Sequence, residues 1–113
     1  MPWLLRDGEV LASAEVAMTR AARRRGLLGR DEIDGALVLE PCRQVHSFGM
    51  RVPIDVVWCD PDGQVLRIVS LKPGRVSLPV WRARFVVEAE DGAVERWALR
   101  VGDVVEVATD RGS

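Results

Sequence analysis

Six consecutive residues, Ile54-Asp55-Val56-Val57-Trp58-Cys59, are apolar on both faces of an extended chain except at Asp55. Side chains of a strand alternate between faces, so a run of this kind belongs in the middle of a sheet that is covered on two sides. Asp60-Pro61-Asp62-Gly63 follows it with the residues of a tight turn. Residues 64–71 then return as its hairpin partner, offering Val65, Ile68 and Val69 to the core.

The remaining segments are short. Two apolar runs around Asp7-Gly8 read as an opening hairpin, because Asp-Gly accepts the positive φ angles of a two-residue turn. Thr19 is placed to cap a helix over 20–28, which carries Gly26 near its end. A brief strand is expected at 36–39, an extended chain interrupted at Pro53 over 43–59, a loop at Pro73-Gly74 and Pro79, and a strand over 83–89. Val94, Trp97, Ala98 and Val101 fall at i, i+3, i+4 and i+7, so a second helix starts at Asp91 or Gly92 and ends at Gly102. A last strand covers 103–108. Six or seven strands with two short helices, and no regular strand–helix alternation, predict an α+β fold. Its sheet is mostly antiparallel and curled toward a barrel.

A chain of 113 residues, 48 % hydrophobic and 29 % charged, is of a size and composition for one domain spanning residues 1–113. Its net charge of −1 supplies no field to draw nucleic acid or an anionic membrane. The basic run Arg20, Arg23, Arg24, Arg25 and Arg30 lacks interleaved aromatic residues and reads as a solvated helix face. No apolar run reaches the ~20 residues of a membrane span, and the first residues do not have the form of a signal peptide. Cys42 and Cys59 are too few for a disulfide framework. The expectation is a cytoplasmic protein with reduced thiols, without nucleic-acid or membrane partners, monomeric or weakly dimeric.

Two segments carry a family resemblance. Gly26-Leu27-Leu28-Gly29-Arg30 and His46-Ser47-Phe48-Gly49-Met50-Arg51-Val52-Pro53-Ile54-Asp55 resemble the Gly-Leu-Met-x-Arg and His-Thr-x-x-Met-x-x-Pro-Ile-Asp segments of the domain-of-unknown-function 192 family, and Gly102-Asp103 matches a Gly-Asp pair near its end. The resemblance covers about 13–107. Leu28 stands where that family has Met, a change that conserves volume. Ser47 stands where it has Thr, keeping the hydroxyl. What the resemblance implies is a compact, bacterial-type, strand-rich domain with no agreed reaction.

His46, the one histidine, is the sole imidazole available for acid–base work near neutral pH. On an extended chain it shares a face with Cys42, Gln44, Phe48 and Met50. Cys42, His46 and Met50 are soft ligands, but steps of four along a strand separate them by about 13 Å, so no metal or other cofactor is expected. Ser47, next to His46, points to the opposite face. Asp55, isolated among apolar neighbours, needs a cation or several donors if buried, and Arg30 is the expected partner. The candidate ligand-binding residues are therefore Arg30, His46, Ser47, Met50 and Asp55. They fit a non-catalytic binding or accessory domain with a shallow polar site for a small molecule. The alternatives are a small enzyme using His46 as general base oriented by Asp55, and a protein-interaction module with an exposed strand edge or an exposed Trp3 or Trp81.

Overall fold

A computed structural model describes residues 2–27 and 35–109. Asp7 and Gly8 take φ angles of 53° and 77°, which closes the expected hairpin between β1 (Trp3–Arg6) and β2 (Glu9–Ala17). α1 (Arg20–Arg25) follows, then β3 (Ala36–Leu39), β4 (Ile54–Cys59), β5 (Val65–Leu71), β6 (Phe85–Glu90), α2 (Ala93–Trp97) and β7 (Val105–Ala108). The strands form one sheet in the order β5-β4-β6-β3-β2-β1-β7. Only β2 and β3 run parallel; the other neighbours are antiparallel.

β4 is buried at every position, as its two-sided apolar pattern requires, and it lies between β5 and β6. Its odd-numbered residues Val57 and Cys59 face a core to which all seven strands contribute, including Leu4, Ala14, Val38, Val65, Val87 and Val105. A sheet whose strands all reach one cluster must curl around it. Ile54, Val56 and Trp58 face a second core on the outer side with Leu27, Leu39 and Val86, beneath α1 and the segment that precedes β4.

The curl does not close into a barrel. Outer strands β5 and β7 approach at their beginnings, where Gln64 and Val104 form one isolated bridge. The Val65 amide donates to the Asp103 carbonyl at 2.8 Å, and the Val105 amide to the Gly63 carbonyl at 2.9 Å. A side chain at position 63 would put its Cβ 2.0 Å from the Val105 carbonyl oxygen, so this approach requires glycine. The pairing is not continued along the two strands, and the sheet stays open.

α2 is shorter than its apolar stripe suggests. The chain leaves the helix at Ala98, which takes the left-handed conformation (φ 52°, ψ 36°) expected at Gly102. The early exit swings Leu99 into the inner core, and Val101 is left 61 % exposed. The amide of Arg100 then donates to Asp103 Oδ2 at 3.0 Å, fixing a second turn that carries Gly102. Periodicity alone cannot detect a one-residue exit that buries the neighbour of the stripe.

Trp58, in the two-sided strand, and Trp97, on the helix stripe, differ as a result. Trp58 is wholly buried, its Nε1 donating to the Arg43 carbonyl at 2.9 Å, whereas Trp97 is half-buried against the inner core. Trp58→Ala should destabilise the protein by about 3–5 kcal/mol, the range for a large aromatic lost from a packed core. Trp97→Ala should have a clearly smaller effect. Denaturant midpoints of the two variants measure the difference, and equal losses would contradict the placement of α2.

Candidate functional site

Thr19 starts α1, its Oγ1 accepting from the Ala22 amide at 3.1 Å. Gly26 ends it with φ 50° and ψ −130°, a region closed to residues with a Cβ, and Leu27 drops into the outer core. Opposite α1 runs the segment 41–50. It is extended up to about residue 47, where it pairs with residues 75–80 and not with the sheet. It then turns at Phe48-Gly49, the Met50 amide donating to the Ser47 carbonyl at 3.2 Å. Val45 exchanges backbone and side-chain hydrogen bonds with Ser77, Gln44 Nε2 donates to the Ser77 carbonyl at 2.9 Å, and His46 bridges Val76. Between α1, this ribbon and the outer face of the sheet lies an open cleft of about 330 Å³.

The cleft gathers some of the expected residues and separates others. Cys42, Gln44, His46, Phe48 and Met50, the face read from the sequence, all line it. The His46 ring stacks on Phe48 with centroids 5.2 Å apart, and its Nδ1 accepts from the Phe48 amide at 3.3 Å. Ser47 points away and is fully buried. Its Oγ donates to the Lys72 carbonyl at 2.5 Å and accepts from the Arg75 amide at 2.9 Å, pinning the ribbon to the turn after β5.

Asp55 lies on the other face of the sheet from the cleft. Its Oδ2 accepts from the amides of Gly92 and Val94 at 3.1 and 3.0 Å, so the donors its burial demands come from the start of α2. The His46–Asp55 pair that a general base would use is therefore not assembled. Arg30, the expected partner of Asp55, falls outside the described residues.

Sequence reasoning passed over the most unusual group in the cleft. Glu88 sits in β6 opposite Val56 of β4 and Leu37 of β3, so its side chain shares the outer face with them. The residue is 3 % exposed, and among the described residues its Oε1 is the one buried side-chain oxygen or nitrogen without a hydrogen-bond partner. Loss of water around it pushes the Glu88 carboxyl up to about 7. A Cβ at position 26 would lie 2.9 Å from Oε1, so the glycine that ends α1 also makes room for this carboxyl. The signal available in the sequence was the one used for Asp55: an acidic residue inside an apolar strand, here Phe85-Val86-Val87-Glu88-Ala89.

Arginines surround this floor. Arg20, Arg23 and Arg24 of α1 line the cleft with Arg43 from the ribbon. Arg23 is occupied, its Nη1 donating to the carbonyls of Met18 and Glu40. Arg43 Nε donates to the Trp81 carbonyl at 3.0 Å. Arg20 and Arg24 are exposed. Burial raises the Cys42 thiol above its ordinary value, so it rests as a neutral group that donates to the Gln44 carbonyl. Cys59, pushed up to about 12 by burial, belongs to the inner core, so the two free cysteines pack on opposite faces of the sheet. Among the described residues no three His, Cys, Asp or Glu side chains gather closely enough to hold a metal ion, and no helix is long and apolar enough to cross a membrane.

Comparison with known proteins agrees with the fold. The sequence profile of the DUF192 family, described as an uncharacterized ACR, matches residues 4–107. A UPF0127 protein of Pyrococcus horikoshii is 34 % identical over 62 residues, 55 % of this chain and 54 % of that protein. A UPF0127 protein of Pyrococcus furiosus is 36 % identical over 62 residues, 55 % and 53 % of the two chains. The matched part thus spans about half the length of these curated relatives. A Novosphingobium aromaticivorans protein of unknown function shares the fold with a TM-score of 0.78 at 22 % identity, covering 93 % of this chain and 82 % of that one. A Sinorhizobium meliloti protein described as a candidate transcription regulator does so with a TM-score of 0.79 at 18 % identity, covering 94 % and 91 %. At such identities the likeness is one of fold.

Two outcomes follow from these carboxylates. A folded-state value of about 7 for Glu88 lies above the ordinary 4.5, so the native state holds the proton more tightly than the unfolded chain. The stability associated with the protonated form is complete below 4.5, declines as pH rises from there to about 7, and is then lost, a difference of roughly 3 kcal/mol. Glu88→Gln should therefore gain stability over the parent at pH 8 and little at pH 5, as urea unfolding would register; an equal effect at both pH values would mean that the carboxyl is not desolvated. Asp55→Ala should cost about 1–2 kcal/mol through the lost α2 cap, and Asp55→Asn less because one acceptor remains. Amide exchange at Gly92 and Val94 should accelerate in the alanine variant.

Proposed function

On the premise that this chain belongs to the DUF192 family, we propose that it is a non-catalytic domain that binds a small molecule in the cleft bounded by α1, His46, Met50 and Glu88. One observation carries the reading: Glu88 keeps a buried, unpartnered carboxyl oxygen at the cleft floor. An unsatisfied polar atom of this kind costs about 1–3 kcal/mol, and no role in the fold accounts for it. A ligand that hydrogen-bonds Oε1 would remove the penalty when it binds. The apolar wall formed by Leu27, Leu39, Met50 and Ile54 suits the body of such a molecule, and a volume of about 330 Å³ is at the small end for ligand sites.

Binding is favoured over a general base of His46 oriented by Asp55 because these two residues are held on different faces and bonded elsewhere. His46 Nδ1 accepts from its own segment, and Asp55 caps α2 across the sheet. We assign the protein to the cytoplasm, as a monomer or weak dimer that binds a small molecule. Two free cysteines on opposite faces of the sheet support a reducing compartment.

A fragment library titrated into the 15N-labelled chain tests the proposal. Binders should shift the amides of Leu39, Cys42, His46, Met50 and Glu88 together. Met50→Trp, which fills the cleft from its half-buried wall, should abolish those shifts while the spectrum stays dispersed. A screen with no binder, or binders scattered over the surface and indifferent to Met50→Trp, would overturn it.

A further inference from the structure

The cleft is built asymmetrically. Its outer margin carries Arg20 and Arg24, both exposed and, among the described residues, without an ion-pair partner. Its wall is apolar, and its floor is the carboxyl of Glu88. Resting on the ligand-binding reading above, we propose that the ligand is a small organic anion whose charge lies between Arg20 and Arg24, whose apolar body lies on Leu27, Met50 and Ile54, and whose entry requires Glu88 to be protonated.

The charges on the cleft argue for an anion. Among the described residues Glu88 is the one acid that lines it, against four arginines. Two of the four are held by backbone carbonyls, which leaves the pair on the outer turns of α1 to meet the ligand. Arg20 and Arg24 are four residues apart on α1 and so project on the same side. Such a pair suits a planar carboxylate or an organic phosphate.

Glu88 sets the condition on entry. As a neutral acid it donates its O–H to an acceptor oxygen of the ligand; as a carboxylate it repels the same molecule in a site poor in water. Among the described residues no cation forms an ion pair with it. From α1, Arg23 faces the cleft but is bound to the carbonyls of Met18 and Glu40. From the ribbon come the neutral thiol of Cys42 and His46. Leu37 and Val56 flank Glu88 on the neighbouring strands, with Glu15 one strand further along the same row and exposed. The carboxyl changes charge near pH 7, so affinity for an anion should be steady below that value and fall by up to about tenfold per unit above it. The arginines keep their charge throughout this range.

A matched panel distinguishes this inference from the broader one. Benzoate, hexanoate and phenyl phosphate would be compared with benzamide, hexanamide and phenol by NMR titration of the whole chain at pH 6, with inorganic phosphate as a charge without a body. At least one anion should bind at the cleft amides about tenfold more tightly than its neutral counterpart and than phosphate. Arg20→Gln with Arg24→Gln, both on the surface, should erase that preference. Between pH 6 and 8.5 the parent should lose affinity and Glu88→Gln should not; the same loss in both would put the proton on another group such as His46 and overturn the role of Glu88. Neutral members binding the cleft as well as the anions would overturn the anion class and leave the binding site standing. If no member moves the cleft amides, the anion inference fails, and the fragment screen alone then decides whether the cleft binds anything.

Discussion

Everything in this fold depends on β4 and β6 burying both of their faces. β4 is buried at all six positions and β6 at all but its last. The alternation of side chains therefore commits the chain to two cores, and neither face can be left to water. The inner core is closed by curling the sheet until all seven strands reach it. The outer one is closed by α1 and by the irregular ribbon of 41–50 with 75–80. A polar residue at any of these buried positions is thus placed inside the protein whatever its chemistry, and the two acids found there, Asp55 and Glu88, meet different fates. Asp55 faces inward and finds two amides of α2; Glu88 faces outward and its Oε1 finds none.

The cleft follows from the way the outer core is covered. A six-residue helix is too short to shield the whole face, so the ribbon must shield the rest, and the join between them is left open. Ser47 holds the ribbon at the right height with hydrogen bonds to Lys72 and Arg75, and Trp58 holds its other end through the Arg43 carbonyl. The segment that looked functional in the sequence is therefore part scaffold and part lining: Ser47 anchors it, and His46, Phe48 and Met50 line the cleft.

Features that arise from local chemistry could be read from the sequence. The Asp7-Gly8 turn, the Thr19 cap, the buried β4 and its hairpin with β5 each follow from a few adjacent residues, and the structure has them. Features that arise from distant contacts could not. The parallel pairing of β2 with β3, the isolated bridge between Gln64 and Val104, and the early end of α2 depend on what packs where. The site divides in the same way. His46 reaches the cleft from the extended part of the ribbon and Met50 from just beyond the Phe48-Gly49 turn, both within a few residues of one another in the chain. Asp55 does not, since residue parity along β4 sends it to the opposite side. Glu88 lies more than 30 residues away in the chain, and only strand pairing brings it beneath them.

The register of β1 against β7 has a different kind of consequence. Trp3 pairs with Ala108, so the first and last strands end side by side at one margin of the sheet, on strands that take no part in the cleft. A chain continuing from either end would leave from the same place. The domain can therefore be spliced into a surface loop of a host protein as a single bulge, or its ends joined and new ones opened elsewhere, without touching the strands and ribbon that line the cleft.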